Sequence, residues 1–334
     1  MRLSILIPYY NTDAWIGATL DSLLDQDLPK TDYEILVVDD GSTEEPVTLK
    51  RYVAQYPNIH YFRQENRGVS AARNTAIPRA QGDWLYFCDS DDLVQPQVLG
   101  RMLDLADSER LDMLFGRSIE VYQGDIVPTP RRNFERRSPA CTGNDYIASH
   151  PVMRSYAAGQ YLIRRNIVVD NRLLFELVYF AEDRYFLLQT LFKAQRVMEV
   201  DVELYYYVQR ESSIMHAQLR KSYGSRYSDP IRRYLTWLSD VIADPALPED
   251  TRRSLMFWRD SSTYWVLLNS FRYASVPVLR KNLALFKQLG CYPLILRRGK
   301  WKECLYRCWM NCRPLWVLGS QLYHLLPQSY RESH

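Results

Sequence analysis

A doubly wound α/β fold around a mostly parallel sheet is what this sequence predicts, and three observations carry the prediction. Short apolar runs at residues 3–7, 34–38 and 84–88 have the length and composition of strands buried on both faces. Segments of helical periodicity separate them, so strand and helix alternate as in linked βαβ units. Each run ends in polar or acidic residues, at Pro8 to Asn11, at Asp39-Asp40 and at Asp89 to Asp91, and in such folds the ligand sits outside the carboxyl ends of the strands.

The elements follow in order. Strand one is expected to stop at Pro8, leaving Tyr9-Tyr10-Asn11 in a loop. Residues 13–25 place Trp15, Ile16, Leu20, Leu23 and Leu24 at helical spacing. Strand two runs into Asp39-Asp40-Gly41-Ser42, where the glycine permits a tight turn. Residues 47–56 read as helix, 59–62 as a short strand, and 69–80 as a third helix opened by Arg67-Gly68. The run at 84–88 then stops at Asp89-Ser90-Asp91-Asp92. Side chains alternate along an extended chain, so Asp89 and Asp91 are expected to point the same way. Asp92 is expected to cap a helix over 93–107, with Pro96 in its first turn. From Leu111 the order becomes mixed: 112–115 and 119–122 read as strands, 131–137 as a basic loop, the stretch from Glu182 as a helix, and 200–208 as a strand carrying Tyr205-Tyr206-Tyr207. Helices over 229–243, 250–273 and 277–289 close the pattern.

The acids carry the chemistry. Two carboxylates held close repel, and a divalent cation or a shared proton relieves the repulsion. Oxygen ligands favour a hard ion, Mg2+ or Mn2+, and Mg2+ usually binds through one or two carboxylates plus substrate phosphates. Asp89 and Asp91 therefore suggest a metal-bound phosphate ester, the alternative being an acidic loop. Pro8-Tyr9-Tyr10-Asn11 has no glycine cluster, so this is not the usual dinucleotide fold. An aspartate at the end of strand two suits a base N–H or a ribose hydroxyl, a plain polar turn being the alternative.

In this order and spacing, Ile7-Pro8-Tyr9-Tyr10-Asn11, Val38-Asp39-Asp40-Gly41-Ser42, Glu65-Asn66-Arg67-Gly68-Val69-Ser70-Ala71-Ala72-Arg73-Asn74 and Asp89-Ser90-Asp91-Asp92 resemble a family 2 glycosyltransferase with the GT-A fold. The resemblance resumes at Ala181-Glu182-Asp183 and at Arg210 to Ile214. It implies an inverting transferase that moves a sugar from a nucleotide-diphosphate sugar, of the UDP class, to a hydroxyl of a growing polysaccharide or lipid-linked oligosaccharide, with Mn2+ or Mg2+ as cofactor. Pro8, Tyr10 and Asp40 would line the nucleobase pocket with Asp39 beside it, and Asn66 and Arg73 would contact ribose or donor sugar, Arg73 being equally placed to hold the loop. Asp91 would ligate the metal, Asp89 would reach ribose or metal, and Asp183 would be the catalytic base. An acid pair opening a helix also has an account in the helix dipole. Arg210 would neutralise phosphate charge, and His216 is a candidate further metal ligand or else a surface histidine. Where the family has a Trp-x-Lys-Leu-like segment this chain has Ala157-Ala158-Gly159-Gln160-Tyr161-Leu162, a departure that bears on acceptor specificity. Two other readings stand beside this one. A catalytically silent sugar-nucleotide-binding or membrane scaffold protein could have lost the Asp89/Asp91 pair or Asp183, and both are present. A nucleotidyltransferase would normally show a glycine-rich N-terminal phosphate loop.

The totals frame these expectations. The 334 residues suit a catalytic domain over 1–216, with 1–115 holding the nucleotide-sugar and 116–216 the acceptor, and a helical extension over 217–334. A net charge of +3 gives no argument for nucleic acid as a partner. Six cysteines do not make a disulfide framework, and neither a signal peptide nor an 18-residue apolar stretch is present, so a cytoplasmic chain is expected. The tail is basic: residues 297–313 hold six basic side chains and one acid. On a helix Trp301, Cys304, Leu305, Cys308, Trp309, Cys312 and Trp316 share one face, from which Lys302, Arg307 and Arg313 fall away. That pattern suits an interfacial helix over 297–316 on the anionic inner face of a cell membrane, or equally a helix docked on the protein.

Overall fold

Strands β1 (Leu3–Tyr9), β2 (Tyr33–Asp39) and β4 (Trp84–Phe87) are buried along their whole length, in keeping with sequences that are apolar but for Ser4, Glu34 and Asp39. The structure, a computed structural model, describes residues 1–122, 139–150, 158–177, 182–209, 228–273, 276–294, 307–308 and 311–312. Its remaining strands are β3 (Ile59–Arg63), β5 (Leu93–Val94), β6 (Met113–Tyr122), β7 (Tyr161–Arg164) and β8 (Val197–Gln209). All lie in one sheet of order β3-β2-β1-β4-β7-β6-β8-β5. The first four pair in parallel, β7 runs antiparallel between β4 and β6, and β6 and β8 are parallel. The helices are α1 (Asp13–Leu24), α2 (Val47–Gln55), α3 (Val69–Ala76), α4 (Leu99–Ser108), α5 (Gly143–Ser149), α6 (Arg165–Asp170), α7 (Glu182–Lys193), α8 (Ser228–Ala243), α9 (Glu249–Tyr273) and α10 (Val276–Gln288).

Several expectations change. Pro8 does not end β1, which continues to Tyr9; β4 pairs with β1 only as far as Leu6, so Pro8 lies past the last rung on that side. Leu93 and Val94 start no helix. They form β5 against β8, and α4 begins only at Leu99. Asp92 therefore caps nothing. The first amides of α4 are met from the loop after α1: Gln26 Oε1 accepts from Val98 N and Leu99 N (both 3.1 Å), and Asp27 accepts from Gly100 N (2.6 Å) and Arg101 N (3.2 Å). The two strands expected at 112–122 are one, with its register broken at Gly116, where a Cβ would stand 2.6 Å from the Leu204 side chain. β7, α5 and α6 had no counterpart in the sequence reading.

The chain divides into two compact units, one of residues 1–146 and 154–210 and the other of 147–153 and 211–334. In the first, the aliphatic side chains of β1, β2 and β8 form the core, and Phe87, Phe175 and Phe186 make a ring cluster, the last two stacked at 4.0 Å. In the second, Ser254 and Trp258 of α9 donate to the carbonyls of Ala148 and His150, and Asn282 donates to Ser270. Arg307 reverses its expected position: it is fully buried, hydrogen-bonded to Asp260 and lying over the Tyr264 ring at 4.6 Å, while Cys308 and Cys312 are exposed. Asn311 pairs with the backbone of Leu294 through both its amide atoms. No helix among the described residues is long and apolar enough to cross a membrane.

Candidate active site

Because β1, β2 and β4 run parallel, their carboxyl ends bring Tyr9 to Asn11, Asp39-Asp40 and Asp89 to Asp92 to one edge. Side chains then tie these loops together. Asn11 adopts φ 51°, a region asparagine tolerates, and its Oδ1 accepts from Thr43 N at 2.9 Å while its own N–H donates to Ser42 Oγ at 3.0 Å. Thr12 donates to Ser90 Oγ at 2.8 Å, joining the first loop to the acidic one.

Asp39 is fully buried and accepts three hydrogen bonds, from Ser42 N (2.8 Å), Tyr61 OH (2.7 Å) and Arg63 Nη1 (3.2 Å). Asp40 accepts from Gln64 Nε2 (2.7 Å), Arg67 N (2.9 Å) and Gly68 N (2.7 Å). Both carboxylates thus hold the turn after β2 and the loop before α3. Gly41, at φ 73°, lies so near Asn66 that a Cβ would stand 2.8 Å from its amide, so the glycine is needed for that approach. Tyr10 and Asn66 are exposed at this edge, and Pro8 is buried in β1.

After Phe87 the chain turns at Ser90-Asp91, with Asp92 N donating to Asp89 O at 3.3 Å. That turn, and not strand alternation, decides how Asp89 and Asp91 are presented. Asp92 points inward: Tyr205 OH donates to its Oδ2 at 2.5 Å and Val208 N to its Oδ1 at 2.8 Å, while Asp89 N donates to Tyr205 OH at 3.4 Å. Burial, with the Asp89 and Asp91 charges, pushes the Asp92 carboxyl well above the usual carboxylate range. Gly159 makes room for this, because a Cβ there would stand 2.2 Å from the Tyr205 ring. The sequence reading missed this arrangement; the pattern that hinted at it was a third acid directly after the Asp89/Asp91 pair.

Arg73 is the centre of the second cluster. It is 3% exposed, with Nη2 donating to Asp89 Oδ1 at 2.8 Å and Nη1 to Asp183 Oδ1 at 2.7 Å, and Glu182 Oε1 is 3.7 Å away. Asp183 and Glu182 open α7. Burial raises both carboxyls; at Asp183 the Arg73 charge and the Ala158 N–H pull the other way, and at Glu182 the Asp183 charge adds to the rise. One guanidinium therefore brings together Arg73, Asp89 and Asp183, three of the residues singled out in the sequence. Arg210, His216 and the basic stretch at 131–137 lie outside the described residues.

No group of three His, Cys, Asp or Glu among the described residues could hold a metal ion. Asp89 and Asp91 fit instead a hard cation that takes its other ligands from a diphosphate, since both are oxygen donors on one turn and Arg73 claims only Oδ1 of Asp89.

Comparison with known proteins adds an independent line. The family described as glycosyl transferase family 2 matches residues 4–170. A poly(ribitol-phosphate) beta-glucosyltransferase of Bacillus spizizenii is 31% identical over 220 residues, covering 64% of this chain, and the chain spans about a third of that relative's length (33%). The uncharacterized glycosyltransferase EpsJ of Bacillus subtilis is 30% identical over 237 residues, 67% of this chain and 68% of EpsJ. Among solved structures, residues 1–349 of S. aureus TarS in complex with UDP superpose with a TM-score of 0.70 at 22% identity, over 100% of this chain and 92% of that one. That likeness establishes the fold.

Proposed function

Because this chain belongs to glycosyl transferase family 2 and has the GT-A fold with a helical C-terminal portion, we propose that it transfers a sugar, with inversion, from a UDP-sugar to a hydroxyl of a growing polysaccharide or lipid-linked oligosaccharide. The observation that carries this reading is the Arg73 cluster, which sets the candidate base Asp183 beside the acidic loop that would anchor the donor diphosphate.

An acceptor hydroxyl is a poor nucleophile at neutral pH, so a base must take its proton as it attacks the anomeric carbon. Asp183 suits that task. Its burial raises proton affinity, which suits a base, while the Arg73 charge and the Ala158 N–H favour its ionised form. Asp91 and Asp89 would hold a divalent cation, which would supply positive charge toward the departing diphosphate. Pro8, Tyr10, Asp39, Asp40 and Asn66 are proposed to serve the nucleoside, the two aspartates acting through the loops they hold. Arg210 and His216 are proposed to complete the phosphate and metal contacts.

The test is thermal unfolding with UDP, GDP, CDP and dTDP, each with and without Mn2+, for the native chain and Asp91→Ala. A ligand at a hundred times its Kd stabilises a fold by about 2.7 kcal/mol. Stabilisation by UDP that needs Mn2+ and disappears in Asp91→Ala is the expected result. Absence of stabilisation by all four nucleotides would overturn the reading in favour of a silent scaffold.

A further inference from the structure

Two roles stood open for Arg73 in the sequence, a donor contact or a hold on its loop, and both of its terminal nitrogens face carboxylates. The guanidinium is buried, and its Nε has no hydrogen-bond partner, so the polar contacts run through the two Nη atoms. Its Cζ lies 5.1 Å from the centroid of the Phe175 ring, which stacks on Phe186 of α7. The next residue grips the same place. Asn74 Nδ2 donates to Phe175 O, and Phe175 N donates to Asn74 Oδ1, both at 2.8 Å, a reciprocal pair that copies a backbone ladder. Two successive residues of α3 thus hold Phe175 and the start of α7 by charge, by a ring face and by backbone hydrogen bonds.

We infer that Arg73, supported by Asn74, is a positioning residue: it fixes the start of α7, and Asp183 with it, in register with the Asp89 loop, and is not a donor contact. The inference rests on the glycosyltransferase reading and deepens it. A guanidinium is a planar fork of fixed geometry, so two carboxylates bound to its two ends have a set separation, which a lysine ammonium on a flexible stem cannot impose. Base and donor anchor are 94 residues apart in sequence, and the guanidinium joins them directly. Small displacements of reacting groups are costly, because a 1 Å misplacement can lower a rate by about a hundredfold.

The two roles predict opposite signs for donor binding. A donor contact, once lost, weakens nucleotide binding. A brace, once loosened at constant charge, releases Asp89 Oδ1 from its fixed partner, so affinity for a cation and its nucleotide holds or rises.

The experiment compares the full-length native chain with Arg73→Lys and Asn74→Ala, measuring unfolding temperature alone, its shift with Mn2+ and UDP, and kcat and KM for UDP release from UDP-sugars. The expected result is a kcat lower by roughly a hundredfold in Arg73→Lys and by about tenfold in Asn74→Ala, with donor KM and the Mn2+–UDP shift at or better than native. A raised KM and a lost Mn2+–UDP shift at near-native kcat would make Arg73 a donor contact and overturn the inference. Should Arg73→Lys fail to fold, Asn74→Ala decides the matter alone, since it leaves the guanidinium in place: native kcat there overturns the inference. If the native chain neither releases UDP nor responds to any nucleotide, the glycosyltransferase reading fails first, and the brace loses its function with it.

Discussion

Asp183 carries the sharpest prediction at the scale of single residues. Its carboxyl is raised by burial, lowered by the Arg73 charge, raised by Asp89 and lowered by the Ala158 N–H, with the rise prevailing. A base must be ionised, so transfer is expected to fall as pH drops through a value above the ordinary aspartate range. Replacing Arg73 by Met removes a charge that favours the ionised form, so the acid limb of the pH–rate profile should move to higher pH; an unmoved limb would separate Arg73 from the base. For stability the sign is the reverse. A carboxyl whose folded pKa is raised stabilises the fold below its unfolded pKa, and that contribution is lost as pH rises through the folded pKa. Asp183→Asn should leave the Mn2+–UDP shift intact and abolish transfer, and native turnover in that variant would remove Asp183 from the mechanism. The motif around Glu182-Asp183 made this residue legible in the sequence. The partnership with Arg73 was not, because nothing in a linear pattern joins positions 110 residues apart.

Elements show why some boundaries were misread. A proline in the first turn and an aspartate before an apolar run are the signs of a helix start, and residues 92–96 carry both. The same aspartate has a better partner in Tyr205, and pairing of β5 with β8 takes Leu93 and Val94 into the sheet. Tyr205→Phe keeps the ring and removes the donor to Asp92, a loss of about 1–3 kcal/mol for a buried group left without its partner. Thermal or urea unfolding measures it, and a cost near zero would show that Tyr205 does not hold the loop. The capping of α4 by Gln26 and Asp27 is equally invisible in sequence, since capping is ordinarily sought next to the helix and not some 72 residues away. Asp27→Ala should cost about 1 kcal/mol, the usual value of an N-cap, read from the urea midpoint at unchanged slope.

Over the whole molecule, the parallel half of the sheet was plain, because strands buried on both faces are largely apolar, and β1, β2 and β4 are so apart from Ser4 and Glu34, which hydrogen-bond each other, and Asp39 at the end of β2. In the mixed half β6 and β8 had been expected, but β7 was not: its four residues end in Arg164, and no continuous apolar run like that at 84–88 marks it. The tail was read with its basic side chains outward, yet Arg307 is buried against Asp260 and Tyr264. Arg307→Met should destabilise the chain by about 3–5 kcal/mol, because Asp260 would lose the opposite charge it is buried against. Adding Asp260→Leu should recover most of that loss, since an apolar pair can replace a buried ion pair at little cost. If the double variant is as unstable as the single one, the pair is not what anchors residue 307.

By itself the sequence determined the βα order, the edge at which the loops gather, the family and the acids proposed to carry its chemistry, because these depend on local periodicity and on short motifs. Only the tertiary structure decided that Asp39 and Asp40 hold loops, that Asp92 faces Tyr205, that Arg73 joins Asp89 to Asp183, and that Arg307 turns inward. A buried charged or hydrogen-bonding group must find a partner, and which partner it finds depends on what the fold brings within about 3 Å.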